Sequence, residues 1–170
     1  MKRIMRRVMI IGNAGAGKST LSRVLADKLK LPLYHLDKIF WLPGWKEIDR
    51  NVMTEKVNKI IAEDEWIIDG NYRRTITYRA ERADTIIFLN FNTLTCLYGI
   101  FKRRFSGEIR TDITQGCPEK IDLKFLSWVL KYKQTTAPPI RKLLNELSAE
   151  KRIIELKNRK QVNEFMNRIQ

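Results

Sequence analysis

The chain has 170 residues, with 33 Lys and Arg against 19 Asp and Glu, for a formal net charge of +14. That length suits a single domain over residues 1–170 that buries its own core. Two cysteines, Cys96 and Cys117, with one histidine exclude a disulfide framework and a four-ligand zinc site within one chain. The apolar run after the basic opening Met1 to Arg7 stops at Gly12, too soon for a signal peptide or a membrane span, so a cytoplasmic protein with no membrane partner is expected.

The first run, Arg7 to Ile11, reads as a strand and leads into Gly12-Asn13-Ala14-Gly15-Ala16-Gly17-Lys18-Ser19, a G-x-x-x-x-G-K-[ST] pattern. Glycines at 12, 15 and 17 let the backbone curl its N–H groups toward an anion. Lys18 is placed to reach the β- and γ-phosphates and Ser19 to ligate Mg²⁺, while the helix running from Thr20 adds its dipole. Gly12 through Thr20 therefore predict a cradle for ATP and Mg²⁺. The other reading of the same residues is a tight strand-to-helix turn that happens to end in Gly-Lys-Ser.

Further along, Leu21, Val24 and Leu25 mark a helix, Leu33 to Leu36 a second strand, and Met53, Val57, Ile60 and Ile61 a second helix. Trp66 to Asp69 and Thr85 to Asn90 are the next strands. Leu94, Leu97, Tyr98, Phe101 and Phe105 form a third helical stripe, and Leu123 to Tyr132 another helix. Pro138 and Pro139 suit the first turn of a helix carrying Ile140, Leu143, Leu144 and Leu147. A fifth strand, Arg152 to Leu156, precedes a last helix with Val162, Phe165, Met166 and Ile169 on one face. This alternation predicts an α/β fold: a P-loop NTPase of three α/β/α layers, nucleotide-kinase-like, with a five-stranded parallel sheet.

In a parallel sheet the carboxyl ends of the strands share one edge, where ligands bind. The phosphate loop leaves the first strand there, Asp37 ends the second and Asp69 the third. Each Asp alone could cap a helix or turn; together they suit a metal-side carboxylate, Asp69, and a group that orients or deprotonates an acceptor hydroxyl, Asp37. His35 reads as a packed, hydrogen-bonded residue. No N-K-x-D element for guanine occurs, since Asn58-Lys59 runs into Ile60-Ile61, and no Glu base follows Asp69. The spacing Asp69-Gly70-Asn71-Tyr72-Arg73 is D-G-x-x-R, which resembles the adenylate kinase group. There the Asp acts on Mg²⁺ or its waters and the Arg holds the acceptor's phosphate, a task suited to a planar guanidinium. Arg73 is the candidate, with a surface pairing to Glu81 or Asp84 as its other reading.

A helical lid region over residues 102–120 carries Arg103, Arg104 and Arg110 and is broken by Gly107, Gly116 and Pro118; it also reads as a solvated basic loop. Trp41 and Trp45 flank Pro43-Gly44 beyond Asp37, as a stacking surface for an acceptor or as packing beneath a loop. The basic clusters elsewhere have no interleaved aromatics and predict at most nonspecific nucleic-acid binding.

Several blocks together resemble the DNA topology modulation (FlaR-like) proteins, a branch of the adenylate kinase-related P-loop kinases. They are Gly12 to Thr20, His35-Leu36-Asp37 with Phe40 to Trp45, Trp66 to Arg74, Arg110 to Lys120, Phe125-Leu126-x-Trp128 and Leu156-Lys157-Asn158, which span most of the chain. The specific ones are Trp-Leu-Pro-Gly-Trp, Asp-Gly-Asn-Tyr and Gly-Cys-Pro-Glu. Where that family has Arg-Pro-Asp, this chain has Arg110-Thr111-Asp112. The resemblance implies an ATP-binding, kinase-like fold with Lys157 and Asn158 near the adenine. It leaves two functions open: transfer of the γ-phosphoryl of Mg·ATP to a small acceptor such as a nucleotide, nucleoside or other metabolite, or ATP-responsive DNA binding without turnover. Oligomeric state is not legible.

Overall fold

Five apolar runs pair into one all-parallel sheet in a computed structural model, of which residues 5–106, 111–118 and 121–169 are described. The strands are β1 (Arg7–Gly12), β2 (Leu33–His35), β5 (Trp66–Asp69), β6 (Thr85–Leu89) and β7 (Arg152–Leu156). A two-stranded hairpin, β3 (Trp41–Leu42) with β4 (Lys46–Glu47), stands apart from the sheet. The helices are α1 (Lys18–Leu29), α2 (Leu36–Phe40), α3 (Arg50–Ile61), α4 (Ile76–Arg82), α5 (Thr93–Ser106), α6 (Leu123–Thr135), α7 (Ala137–Leu147) and α8 (Arg159–Arg168).

The strand order is β2-β5-β1-β6-β7. β1 is therefore central, with β5 on one side and β6 on the other, and its carboxyl end is the switch point at which an open α/β sheet offers a crevice. Side chains alternate across the sheet. Met9 and Ile11 join Ile68, Ile86 and Phe88 in a core with Met53, Val57 and Ile60 of α3 and Ile140 and Leu144 of α7. Val8 and Ile10 face the other way, onto Leu21 and Leu25 of α1, Cys96 and Ile100 of α5 and Val129 of α6. These two buried layers make the three-layer α/β/α architecture expected from the alternating pattern. Pro138 and Pro139 occupy the first turn of α7, where a missing N–H costs nothing. Among the described residues no helix is long and apolar enough to cross a membrane.

One boundary differs from the sequence reading in a way that matters for the site. Asp37 lies in the first turn of α2 rather than at the end of a strand. β2 pairs only with β5, and the register ends at His35 opposite Asp69. Beyond it β5 breaks at Gly70, whose φ of 123° leaves the strand region, so Leu36 has no ladder partner and the chain coils. The helices Leu36–Phe40 and Ile76–Arg82 and the short hairpin are also additions to the sequence reading.

Candidate nucleotide and acceptor site

The phosphate loop occupies the β1 carboxyl end with Gly12, Gly15 and Gly17 at φ 151°, 74° and 89°, conformations costly for residues with a Cβ. Gly15 is constrained a second way: an added Cβ would run into the carbonyl oxygen of Cys96, and one at Gly99 into the carbonyl oxygen of Gly15. The backbone of α5 thus lies directly on the loop. Asn13 braces the loop with its side chain, donating to the Val129 carbonyl at 3.0 Å and accepting from the Ala14 N–H at 2.9 Å. Asn71 holds Gly12 from the other side, accepting its N–H at 3.1 Å and donating to its carbonyl at 2.8 Å. Gly17 caps α1 with no side-chain hydrogen bond, which leaves the first-turn N–H groups open to an anion.

Lys18 donates to the Asn13 carbonyl at 3.1 Å. Burial lowers its pKa, while Asp37 and Asp69 pull it back up and Arg103 opposes them. The charges of Asp37, Asp69 and Arg103, three of the candidate residues, thus act on the loop lysine. Asp69 is buried and both its oxygens are engaged: Ser22 Oγ donates to one at 3.0 Å and His35 Nδ1 bonds the other at 2.9 Å. His35 is the hydrogen-bonded histidine that its place in the strand pattern suggested. Asp37 accepts from the Tyr72 hydroxyl at 2.9 Å. Burial first, and then the Asp37 charge, push the Tyr72 phenol far above its ordinary pKa, so it stays a donor. Ser19 Oγ donates to Asp112 at 2.8 Å. Among the described residues no group of three or more His, Cys, Asp or Glu could hold a metal ion, so a cation here would take few protein oxygens, such as Ser19 Oγ, and leave its other positions to waters and phosphate oxygens.

A cleft of about 180 Å³ has apolar walls of Phe40, Met53 and Tyr72 and carries Arg50, Arg73 and Arg74 on its rim. Arg73 is exposed here. The Asp84 carboxylate, one of its two candidate surface partners, accepts instead from the Arg6 and Arg7 N–H groups at 3.1 and 2.7 Å. Trp41 does not line this cleft. It packs edge-on between Phe40 at 4.8 Å and Trp45 at 5.3 Å, the packing beneath a loop that was its other reading. Arg79, absent from the sequence reading, is fully buried and donates to the carbonyls of Gly70, Asn71 and Tyr72 and to Thr75 Oγ1. Burial draws its guanidinium down to about 9, still charged at neutral pH.

Comparison with known proteins places this geometry in a fold. No family model matches the chain, and no curated protein matches it. Among solved structures, shikimate kinase from Acinetobacter baumannii in complex with shikimate is 15% identical, with 97% of this chain and 90% of that chain covered at a TM-score of 0.61. Shikimate kinase from Bacteroides thetaiotaomicron is 20% identical, covering 98% and 97% at 0.54. A sugar kinase from Janibacter sp. is 15% identical, covering 96% and 91% at 0.55. The chain has the P-loop kinase fold.

In that fold the predicted lid and adenine-side residues divide. Arg103 is half-buried in the last turns of α5 and Arg104 is exposed beside it, whereas Arg110 lies outside the described residues. Residues 111–118 cross from α1 to the hairpin: Arg23 donates to Thr111 Oγ1 at 2.6 Å, Thr114 Oγ1 to the Lys38 carbonyl at 2.9 Å, the Gly44 N–H to the Gly116 carbonyl at 2.9 Å, and Trp45 Nε1 to the Pro118 carbonyl at 3.0 Å. Lys157 is exposed and Asn158 spends its side chain capping α8, accepting from the Gln161 N–H at 2.9 Å. The next residue reaches the loop instead. A Cβ on Gly17 would sit 2.7 Å from Arg159 Nη1, and the same guanidinium stands 5.4 Å from the Phe91 ring centre. A larger cleft of about 330 Å³, between β7 and α8, contains none of the predicted site residues.

Proposed function

We propose that the protein is a cytoplasmic ATP-dependent kinase that moves the γ-phosphoryl group of Mg·ATP to a small acceptor, a nucleotide, nucleoside or other metabolite. One observation carries this reading: the glycine loop is bonded through Asn71 to the turn whose next residues, Tyr72 and Arg73, line an arginine-rimmed cleft, and the charges of Asp37, Asp69 and Arg103 act on its Lys18. The finer resemblance to DNA topology modulation proteins within the adenylate kinase-related group belongs to the same proposal and rests on the blocks named above.

The loop's open N–H groups and Lys18 hold the polyphosphate, with Lys157 and Asn158 on the adenine side. Asp37 takes the proton of an acceptor hydroxyl as its oxygen bonds the γ-phosphorus and the bond to the β,γ-bridging oxygen breaks, releasing ADP. Arg103, Arg104 and Arg110 neutralise charge on the transferring group, and Arg73 faces the acceptor's region. Ser19 and, through waters, Asp69 would hold Mg²⁺, which would supply further neutralisation of the phosphate oxygens. Positioning and charge neutralisation do most of the catalysis.

The test is a mass-spectrometric screen for phosphorylated product from ATP and pooled nucleotides, nucleosides and metabolites, with Lys18→Ala as control. The expected result is a product made by the parent protein and abolished in Lys18→Ala, whose circular dichroism is unchanged. A protein that binds ATP yet phosphorylates nothing across a broad panel overturns the reading.

A further inference from the structure

Among the residues assigned to the metal, Ser19 has a partner that neither the motif nor the fold comparison supplies. Its hydroxyl donates to Asp112 Oδ2 at 2.8 Å, across 93 residues of sequence. A serine hydroxyl has one proton and two lone pairs, so a carboxylate that takes the proton leaves the lone pairs for a cation and makes the oxygen a better ligand. Asp69, the carboxylate that the sequence pattern assigns to the metal, is already held by Ser22 and His35. Asp112 stands where an acceptor for the Ser19 proton is required.

Its burial supports a built contact. Asp112 is 8% exposed although it lies in a connecting segment, and a carboxylate is kept out of water only where hydrogen bonds hold it. The neighbouring Thr111 is bound by Arg23, one turn of α1 beyond Ser19 and on the same helix face, so the segment is pinned to α1 at two successive positions. Its other end is tied to the acceptor side through Thr114 to Lys38, Cys117 to Leu42, Gly116 to Gly44 and Pro118 to Trp45.

We propose that Asp112 is a positioning residue of the metal site, holding the Ser19 proton so that the oxygen's lone pairs face the cation accompanying the nucleotide. Because the same segment is bound to the hairpin, metal affinity depends on how the acceptor loop is seated. This inference rests on the kinase reading for the presence of a metal–nucleotide complex.

The experiment measures binding of a non-hydrolysable ATP analogue by calorimetry, once with saturating Mg²⁺ and once in chelator, together with Mn²⁺ affinity of the protein–analogue complex by electron paramagnetic resonance. Asp112→Asn, nearly isosteric, and Asp112→Ala should keep the affinity in chelator and lose about 10- to 100-fold of Mn²⁺ affinity. Trp45→Phe, which removes the N–H donated to Pro118 together with part of the ring packed on Trp41, should lower Mn²⁺ affinity by a smaller factor and leave binding in chelator unchanged. A folded Asp112→Asn protein with the parent's Mn²⁺ affinity overturns this inference and leaves the kinase reading standing. If the parent protein itself shows no metal-dependent nucleotide binding, both fall.

Discussion

Two cations in the site are taken out of water in different ways, and each has a measurable consequence. Lys18 is partly exposed along its length, yet its ammonium is ringed by protein atoms that lower its pKa, with Asp37 and Asp69 pulling it upward. A polyphosphate arriving beside it raises the pKa, so binding takes up a proton at pH values between the free and bound pKa and weakens as pH rises through that window. Calorimetry of Mg·ATP in buffers of different ionisation enthalpy should show this uptake, and Lys18→Arg, which stays protonated, should abolish it. Arg79 is a scaffold. Its guanidinium ties together the carbonyls of Gly70, Asn71 and Tyr72, the turn that carries Arg73 out toward the acceptor cleft. Arg79→Lys, with a compact ammonium in place of a fork, should lose about 3 kcal/mol through carbonyls left unsatisfied. Thermal unfolding should register this as a fall of about 6–12 °C in Tm. Neither Arg79 nor Ser22 was legible in the sequence, because a buried polar residue in a helix looks like any surface one until its distant partners are known.

At the scale of elements, α5 and the phosphate loop are packed backbone against backbone. Their backbones approach so closely at Gly15, Cys96 and Gly99 that no side chain fits between them. Gly99→Ala would gain about 1 kcal/mol of helix propensity in isolation, but the overlap with the Gly15 carbonyl oxygen should outweigh it. We expect a net destabilisation on the order of 1–2 kcal/mol, read by denaturant unfolding, together with weaker Mg·ATP binding as the loop is displaced. The loop itself was readable because the chemistry requires its glycines, lysine and serine side by side. Gly99 was not, since a helical glycine announces nothing until the packed partner is known. The five sheet strands were readable as apolar runs bounded by turn residues. By contrast, the hairpin strands have two residues each, too short for any period to show, and α4 hides its pattern by burying Arg79 beside Ala80.

For the molecule as a whole, the net charge of +14 makes some affinity for polyanions unavoidable. If that affinity is only electrostatic, binding of a fluorescent duplex should fall by about 10³-fold between roughly 50 and 200 mM salt. The midpoint of that salt titration should not move on adding Mg·ATP; a nucleotide-dependent shift would instead favour the DNA-responsive reading. The architecture was legible at this scale because alternating strand and helix patterns leave few topologies. What joins distant parts was not, as with Asp112 reaching Ser19 or Arg159 reaching Gly17. The Arg159 contact also bears on assembly. Gly17 follows β1 and Arg159 follows β7, two strands held apart in the sheet by β6, so their approach closes only after β6 and β7 have paired and belongs to the late, long-range part of folding.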